Sequence, residues 1–255
     1  MAGISEDAKR NREDWTQANV AYTDARASAK WAEPEINWGV FDVPESSLGS
    51  LPEVDGRDVI ELGCGTAYVS AWLARRGARP VGVDVTPAQL ATARRVQEET
   101  GITFPLVEAS AEDVPLPSES FDVAVSEYGA SIWCDPHLWI PEAHRLLRPG
   151  GWLWFLRNST ISLLCAPDEG KPTETLQRPQ RGMGRLEWPG ELGVEWQLPH
   201  AELFAVLRSA GFEVTGLYEL YAPDNAVDHA YYDTFSAEWS RKWPVEEIWV
   251  AKKPG

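Results

Sequence analysis

From Arg57 onward the chain alternates short apolar runs with amphipathic stretches. Val59, Ile60 and Leu62 form a run suited to a parallel strand covered on both faces. Val81-Gly82-Val83-Asp84, Phe121 to Ser126 and Trp152 to Arg157 read as further strands, and Phe212 to Tyr221 and Glu247 to Lys252 as two final ones. Helical patterns separate them: Ala67 to about Arg76, Pro87 to Gly101, Pro136 to Arg148 and Ala201 to Ala210. This alternation predicts an α/β fold with a mostly parallel sheet. Thr86-Pro87-Ala88-Gln89 predicts a capped helix start: a Thr cap, Pro at the first helical position and Gln three residues after the cap. Gly101 is expected to end that helix.

Two stretches fall outside this alternation. Residues 1–50 are Ala- and charge-rich, predicted helical from about Glu6 to Lys30, with continuity broken at Pro34. Asn158 to about Pro199 is rich in Gly, Pro and Trp. In doubly wound sheets, substrate choice comes from elements above the carboxyl ends of the strands, so these two segments are the expected cap. Asp228 to Phe235, between the last two strands, is a third candidate.

The first strand runs into Gly63-Cys64-Gly65-Thr66-Ala67, and Asp84 ends the second strand 23 residues after Glu61. Gly63 and Gly65 allow a sharp turn and close approach of a ligand, so a side chain at Gly63 is expected to block that ligand while leaving the fold intact. The helix that follows offers free N–H groups, and Asp84 can accept two hydrogen bonds from a ribose diol. A dinucleotide fingerprint needs a third glycine, where this chain has Ala67-Tyr68.

The order of motifs resembles that of class I S-adenosylmethionine-dependent methyltransferases. Glu61-Leu62-Gly63-Cys64-Gly65-Thr66-Ala67 is similar to their first motif, with Ala67 in place of its last glycine. Ala109 to Leu116 resembles the segment that wraps the adenine, with Ser110 replacing an Asp. Phe121 to Ser126 resembles the fourth strand, and Leu146 to Gly151 the turn before the fifth. The resemblance spans residues 57 to 157. It implies a doubly wound, Rossmann-like, seven-stranded sheet with the last two strands antiparallel at one edge, and S-adenosyl-L-methionine as cofactor. It also implies cofactor contacts at Glu61, Gly63, Cys64, Gly65, Asp84, Val85, Ala111, Glu112, Ser126 and Glu127.

Composition narrows the function. A length of 255 residues suits one α/β domain with insertions. A formal charge of −16 argues against nucleic acid, whose binders need a cationic surface. No apolar run of 18 residues predicts a membrane span, and the polar start lacks a signal-peptide core, so cytoplasmic residence is expected. Cys64, Cys134 and Cys165 are far apart and without metal-ligand spacing, which predicts reduced thiols, no metal, and Cys64 filling a small space in the glycine turn. A monomer or homodimer acting on a small-molecule acceptor is expected.

No catalytic base is assigned. His137 and His144 sit in or near a predicted helix, whereas His200 and His229 lie nearer the expected cap. The chain holds 13 tryptophans. Trp72, Trp152, Trp154 and Trp249 lie in predicted core elements. Trp15, Trp31, Trp38, Trp188, Trp196, Trp239 and Trp243 form an apolar pocket for an aromatic or hydrophobic acceptor, cage a cationic amine, or staple the cap to the core. Arg178, Arg181 and Arg185 either receive an anionic group or lie in a solvated loop. Two other functions remain open. A non-catalytic cofactor-binding module needs no base. A nicotinamide oxidoreductase of the short-chain kind needs Tyr-x-x-x-Lys, which no tyrosine here supplies.

Overall fold

The computed structural model describes residues 4–229 and 234–255. Ala230 to Asp233, part of the third cap candidate, lie outside the described residues. Seven strands form one sheet: β1 Asp58–Leu62, β2 Arg79–Asp84, β3 Leu106–Glu108, β4 Phe121–Glu127, β5 Leu147–Asn158, β6 Glu213–Leu220 and β7 Glu246–Lys252. Their spatial order is β6-β7-β5-β4-β1-β2-β3. The five strands from β5 to β3 run parallel, and β7 pairs antiparallel with both β5 and β6. This is the expected doubly wound sheet with an antiparallel edge.

Alternation along the strands sorts the core. Ile60, Leu62, Ala124 and Phe155 face helices α5 (Pro136–Leu146) and α6 (His200–Ser209), packing on Trp139, Ile140 and Leu207. Val59, Val123, Val125 and Trp154 face the other way, onto Trp72 and Leu73 of helix α3 (Tyr68–Arg75) and onto Trp38. Val59, Ile60 and Leu62 are fully buried, as a central parallel strand requires.

Two local expectations fail for identifiable reasons. The helix expected to reach Arg148 ends at Leu146, and β5 begins at once. Pro149 disfavours a helical conformation at Arg148, whose guanidinium is fixed by Asp58 (3.0 Å) and Asp122 (2.9 Å). The capping box at helix α4 (Pro87–Thr100) does not form. Thr86 makes no side-chain cap, and Gln89 Oε1 instead accepts from Thr23 (3.2 Å) and Asn19 (3.4 Å) of the leader. Gly101 ends α4 in the left-handed conformation, as expected.

The leader folds as helix α1 (Glu6–Ala18), a π-helical turn Asn19–Thr23 and helix α2 (Asp24–Ala32). It is fastened by polar groups as well as apolar ones. Buried Asn11 donates to the carbonyls of Trp133 (2.8 Å) and Val194 (2.9 Å) and accepts from Val194 N–H (2.7 Å). Trp31 donates to Thr66 O (2.7 Å), and Trp72 of α3 donates to Lys30 O (2.9 Å). The insertion after β5 has one helical turn, Thr160–Cys165, and one two-residue ladder, Arg185–Leu186 against Glu195–Trp196; the rest is irregular. The leader half of the cap is therefore mainly helical and the insertion half mainly irregular.

Asn11 joins the leader, the turn after β4 and the insertion through three hydrogen bonds. Asn11→Ala leaves Val194 N–H buried without its partner and is expected to loosen the cap by about 1–3 kcal/mol. Native-state hydrogen exchange should show faster exchange in α1 and near Val194, with the sheet unchanged. Unaltered exchange in α1 would show that the clasp carries no weight.

Candidate active site

The strand order reverses between β1 and β4, and in open α/β sheets a ligand crevice forms at that point, outside the carboxyl ends of the strands. Here the crevice opens into a cavity of about 860 Å³, roofed by the leader and the insertion. Its floor is the loop after β1. Gly63, Gly65 and Ala67 all have positive φ (75°, 53° and 60°). Gly63 is not open to a ligand in the way its type suggests. A Cβ there would lie 2.6 Å from both Gly129 Cα and Ala130 N, in the turn after β4. Gly65 does face free space, with only Gln89 Oε1 within 4 Å of its would-be Cβ, at 3.9 Å.

Asp84 ties this loop to the end of β2. Its Oδ2 accepts from Gly65 N–H (2.8 Å) and its Oδ1 from Thr86 N–H (2.7 Å). Each oxygen keeps a lone pair for a hydroxyl in the cavity. Burial raises the Asp84 pKa against these hydrogen bonds. Glu61 has a different task. It accepts from Ser70 N–H (2.8 Å) and Ser70 Oγ (2.5 Å), so it caps the start of α3, where Ala67 has no side chain to do so. Burial pushes its pKa up to about 8. Cys64 is buried, and its sulfur stands 3.0 Å from where a Gly82 Cβ would lie, which is the small-space role expected of it.

Of the ten residues singled out for the cofactor, Glu61, Gly63, Cys64, Gly65, Asp84, Val85, Ala111 and Glu127 line the cavity. Glu112 and Ser126 do not. Glu112 accepts from Asp135 N–H (3.1 Å), and Ser126 Oγ donates to Leu62 O (2.7 Å) and accepts from Ser131 N–H (3.2 Å). Both brace loops behind the wall. Glu127 accepts from the Tyr68 hydroxyl, and burial raises its pKa. Next to it Tyr128, at φ 52°, donates to Glu246, whose pKa burial pushes up to about 7. Sequence reasoning missed the Tyr68–Glu127 and Tyr128–Glu246 pairs, because Glu246 arrives from the last strand.

The leader and insertion tryptophans divide between wall and staple, except Trp196, which is half-buried and off the cavity wall. Trp15, Trp133 and Trp188 line the cavity, with Trp15 edge-on to Trp133 at 5.4 Å between ring centroids. Trp31, Trp38 and Trp239 are buried staples. Trp243 is exposed. Among the histidines only His229 lies on the cavity wall; His200 instead bonds Glu247 (2.6 Å). Arg178 covers the Trp188 ring and Arg185 pairs with Asp7 and Glu187, so the basic run forms no receptor facing the cavity. Among the described residues no group of three or more His, Cys, Asp or Glu is placed to hold a metal ion.

Comparison with known proteins agrees with this geometry. Residues 60–155 match the family model described as a methyltransferase domain. A ubiquinone biosynthesis O-methyltransferase of Pseudomonas syringae pv. tomato is 32% identical over 212 residues, covering 80% of this chain and 86% of the relative. A crystal structure of an S-adenosylmethionine-dependent methyltransferase from Mesorhizobium loti superposes with a TM-score of 0.64 at 25% identity, over 81% of this chain and 95% of that one. The Burkholderia thailandensis 1,6-didemethyltoxoflavin-N1-methyltransferase, solved with S-adenosylhomocysteine, shares the fold at 16% identity, with a TM-score of 0.59 over 100% of this chain and 93% of that one.

The chain belongs to the class I S-adenosylmethionine-dependent methyltransferases. It is an enzyme of that family, and its cofactor is S-adenosylmethionine. The residues present fit that group: an open wall at Gly65 beside a carboxylate with spare acceptor capacity at Asp84. The nicotinamide and non-catalytic alternatives fall away.

Two substitutions separate floor from wall. Gly63→Ala forces the β1 and β4 loops apart and is expected to unfold the protein or lower its melting temperature severely. Gly65→Ala costs only about 1 kcal/mol of left-handed strain and leaves a folded protein with weakened cofactor affinity. Equal thermal melts for the two variants would contradict this division. Glu61 gives a pH test. Its folded pKa lies above the unfolded carboxylate value, so its contribution is complete below that value and is lost as pH rises towards about 8. Glu61→Gln keeps an oxygen for Ser70 and should flatten the fall in melting temperature across that window. A parallel fall in both proteins would show that Glu61 stays ionised.

Proposed function

We propose that the enzyme transfers the methyl group of S-adenosylmethionine to a small, apolar or aromatic acceptor held in the same cavity. The observation that carries this reading is continuity: one cavity joins Gly65 and Asp84 at its floor to Trp15, Trp133, Ile132 and Leu163 below the cap. A pocket with mostly apolar walls and a few placed polar groups is the usual form of a small-molecule site. The O-methyltransferase name of the Pseudomonas relative supports a small-molecule acceptor. Three free cysteines fit a reducing compartment and so the cytoplasm. Among the described residues, no helix is long and apolar enough to cross a membrane.

The cofactor, when bound, supplies an activated methyl group on a sulfonium centre. The chain's own work is placement and exclusion of water. Asp84 accepts the ribose hydroxyls with the lone pairs left over from Gly65 and Thr86. Gly63, through its contact with the β4 turn, holds the loop so that Gly65 presents bare backbone. Cys64, Val85, Ala111 and Glu127 complete the wall around the cofactor. Glu112 and Ser126, off the cavity, act as positioning residues for the loops after β3 and β4. The leader, clasped by Asn11 and Trp31, keeps water from the transfer. Fixing two reactants in line supplies up to about 7–11 kcal/mol of barrier lowering without any protein group entering the chemistry.

Asp84→Ala is expected to weaken S-adenosylhomocysteine binding by about 1–3 kcal/mol in calorimetric titration. NAD, as control, should show no heat of binding with either protein. Wild-type affinity in the variant would place the ribose elsewhere.

A further inference from the structure

The acceptor end of the cavity has an unusual chemistry. Three carboxylates line it, Asp14 of α1 and Glu191 and Glu195 of the insertion, together with the indoles of Trp15, Trp133 and Trp188. The groups lie close together. A Cβ at Gly193 would stand 3.0 Å from Asp14 Oδ2 and 3.1 Å from the Trp133 ring, and Trp188 Nε1 donates to Glu195 Oε1 (3.0 Å). Glu195 is further satisfied by Gln197 (2.9 Å). Asp14 and Glu191 are not: among the described residues, neither side chain makes a hydrogen bond or ion pair. Lys30, a cation on the cavity wall, is already engaged by Glu33 (3.1 Å) and Asp42 (3.0 Å).

Asp14 is half-buried and Glu191 is exposed to the open cavity, so a cation entering there meets two carboxylates that have no counter-charge of their own among the described residues. Burial alone raises the Asp14 pKa, and burial together with the Asp14 charge raises that of Glu191. The indole faces add a second, independent preference, because an aromatic face attracts a cation through its quadrupole.

We propose that the acceptor recognised by this cavity is cationic, a protonated amine on an apolar or aromatic frame, held between the Asp14 and Glu191 carboxylates and the rings of Trp15 and Trp133. This rests on the reading that the acceptor shares the cofactor's cavity. It excludes anionic acceptors, which the three carboxylates repel.

The test uses three probes with one aromatic body: phenethylamine, 2-phenylethanol and 3-phenylpropionate. Each is titrated into the full chain saturated with S-adenosylhomocysteine, followed by tryptophan fluorescence and by calorimetry. The amine is expected to bind about tenfold more tightly than the alcohol, with the acid weakest, and the preference should shrink in high salt. The double variant Asp14→Asn with Glu191→Gln should lose the preference for the amine while keeping its affinity for S-adenosylhomocysteine. Equal binding of the three probes, no binding of any, or a preference unchanged in the variant would overturn the proposal and leave the cofactor assignment standing. Failure of S-adenosylhomocysteine itself to bind would instead defeat the cavity assignment on which it rests.

Discussion

The structure turns on the approach of two backbones, Gly63 after β1 and Gly129 after β4. A Cβ on Gly63 would come within 2.6 Å of the Gly129 turn, and one on Gly129 within 2.2 Å of the Gly63 carbonyl. No other residue type fits at either position. Because the strand order reverses between these parallel neighbours, this contact closes the bottom of the crevice at the place where the sheet itself leaves it open. Everything above inherits its position from it. Gly65 is carried up to the cavity wall, within reach of Asp84. Ser126 locks the same junction from below by bonding Leu62 and Ser131. Tyr128, next to Gly129, is thrown into a left-handed conformation that sends its hydroxyl to Glu246.

The cap is built on a second rule, that buried polar groups must be paired. Asn11 and Trp31 bind backbone atoms of the insertion, the β4 turn and the glycine loop, and Asn19 and Thr23 reach side chains of α4. This spreads the attachment of the leader over most of the elements that surround the cavity. The leader's position is therefore coupled to the loops that meet the cofactor. The same roof carries Asp14, Trp15, Trp188, Glu191 and Glu195 on the cavity wall.

The fold was legible because each strand end carries its own signal. Apolar runs at Val59–Leu62 and Phe121–Ser126, the glycines after Leu62 and the acid at Asp84 state local geometry and predict a mostly parallel α/β sheet, whereas the count of seven strands came from the family resemblance and the three-residue β3 carried no run of its own. What stayed hidden depends on partners distant in sequence. Gln89 reads as half of a capping box but is claimed by Asn19 and Thr23, about 70 residues earlier. Gly63 reads as a ligand contact, yet its need for glycine comes from Gly129. The tryptophans of the leader and insertion could be sorted into wall and staple only by knowing which faced the cavity. Trp133 joined the wall without any mark in sequence beyond its place after β4. Glu112 and Ser126 sit in the expected loops but with their side chains turned to bracing contacts.

The central claim is that cofactor and acceptor share one cavity whose floor is the Gly63–Gly129 junction and whose roof is the leader. Hydrogen exchange of the whole chain, with and without S-adenosylmethionine, tests it most directly. The account predicts protection in one connected set: residues 63–67, 84–86 and 109–112, together with α1 and α2. Protection confined to other segments, or a leader whose exchange ignores the cofactor, would contradict it.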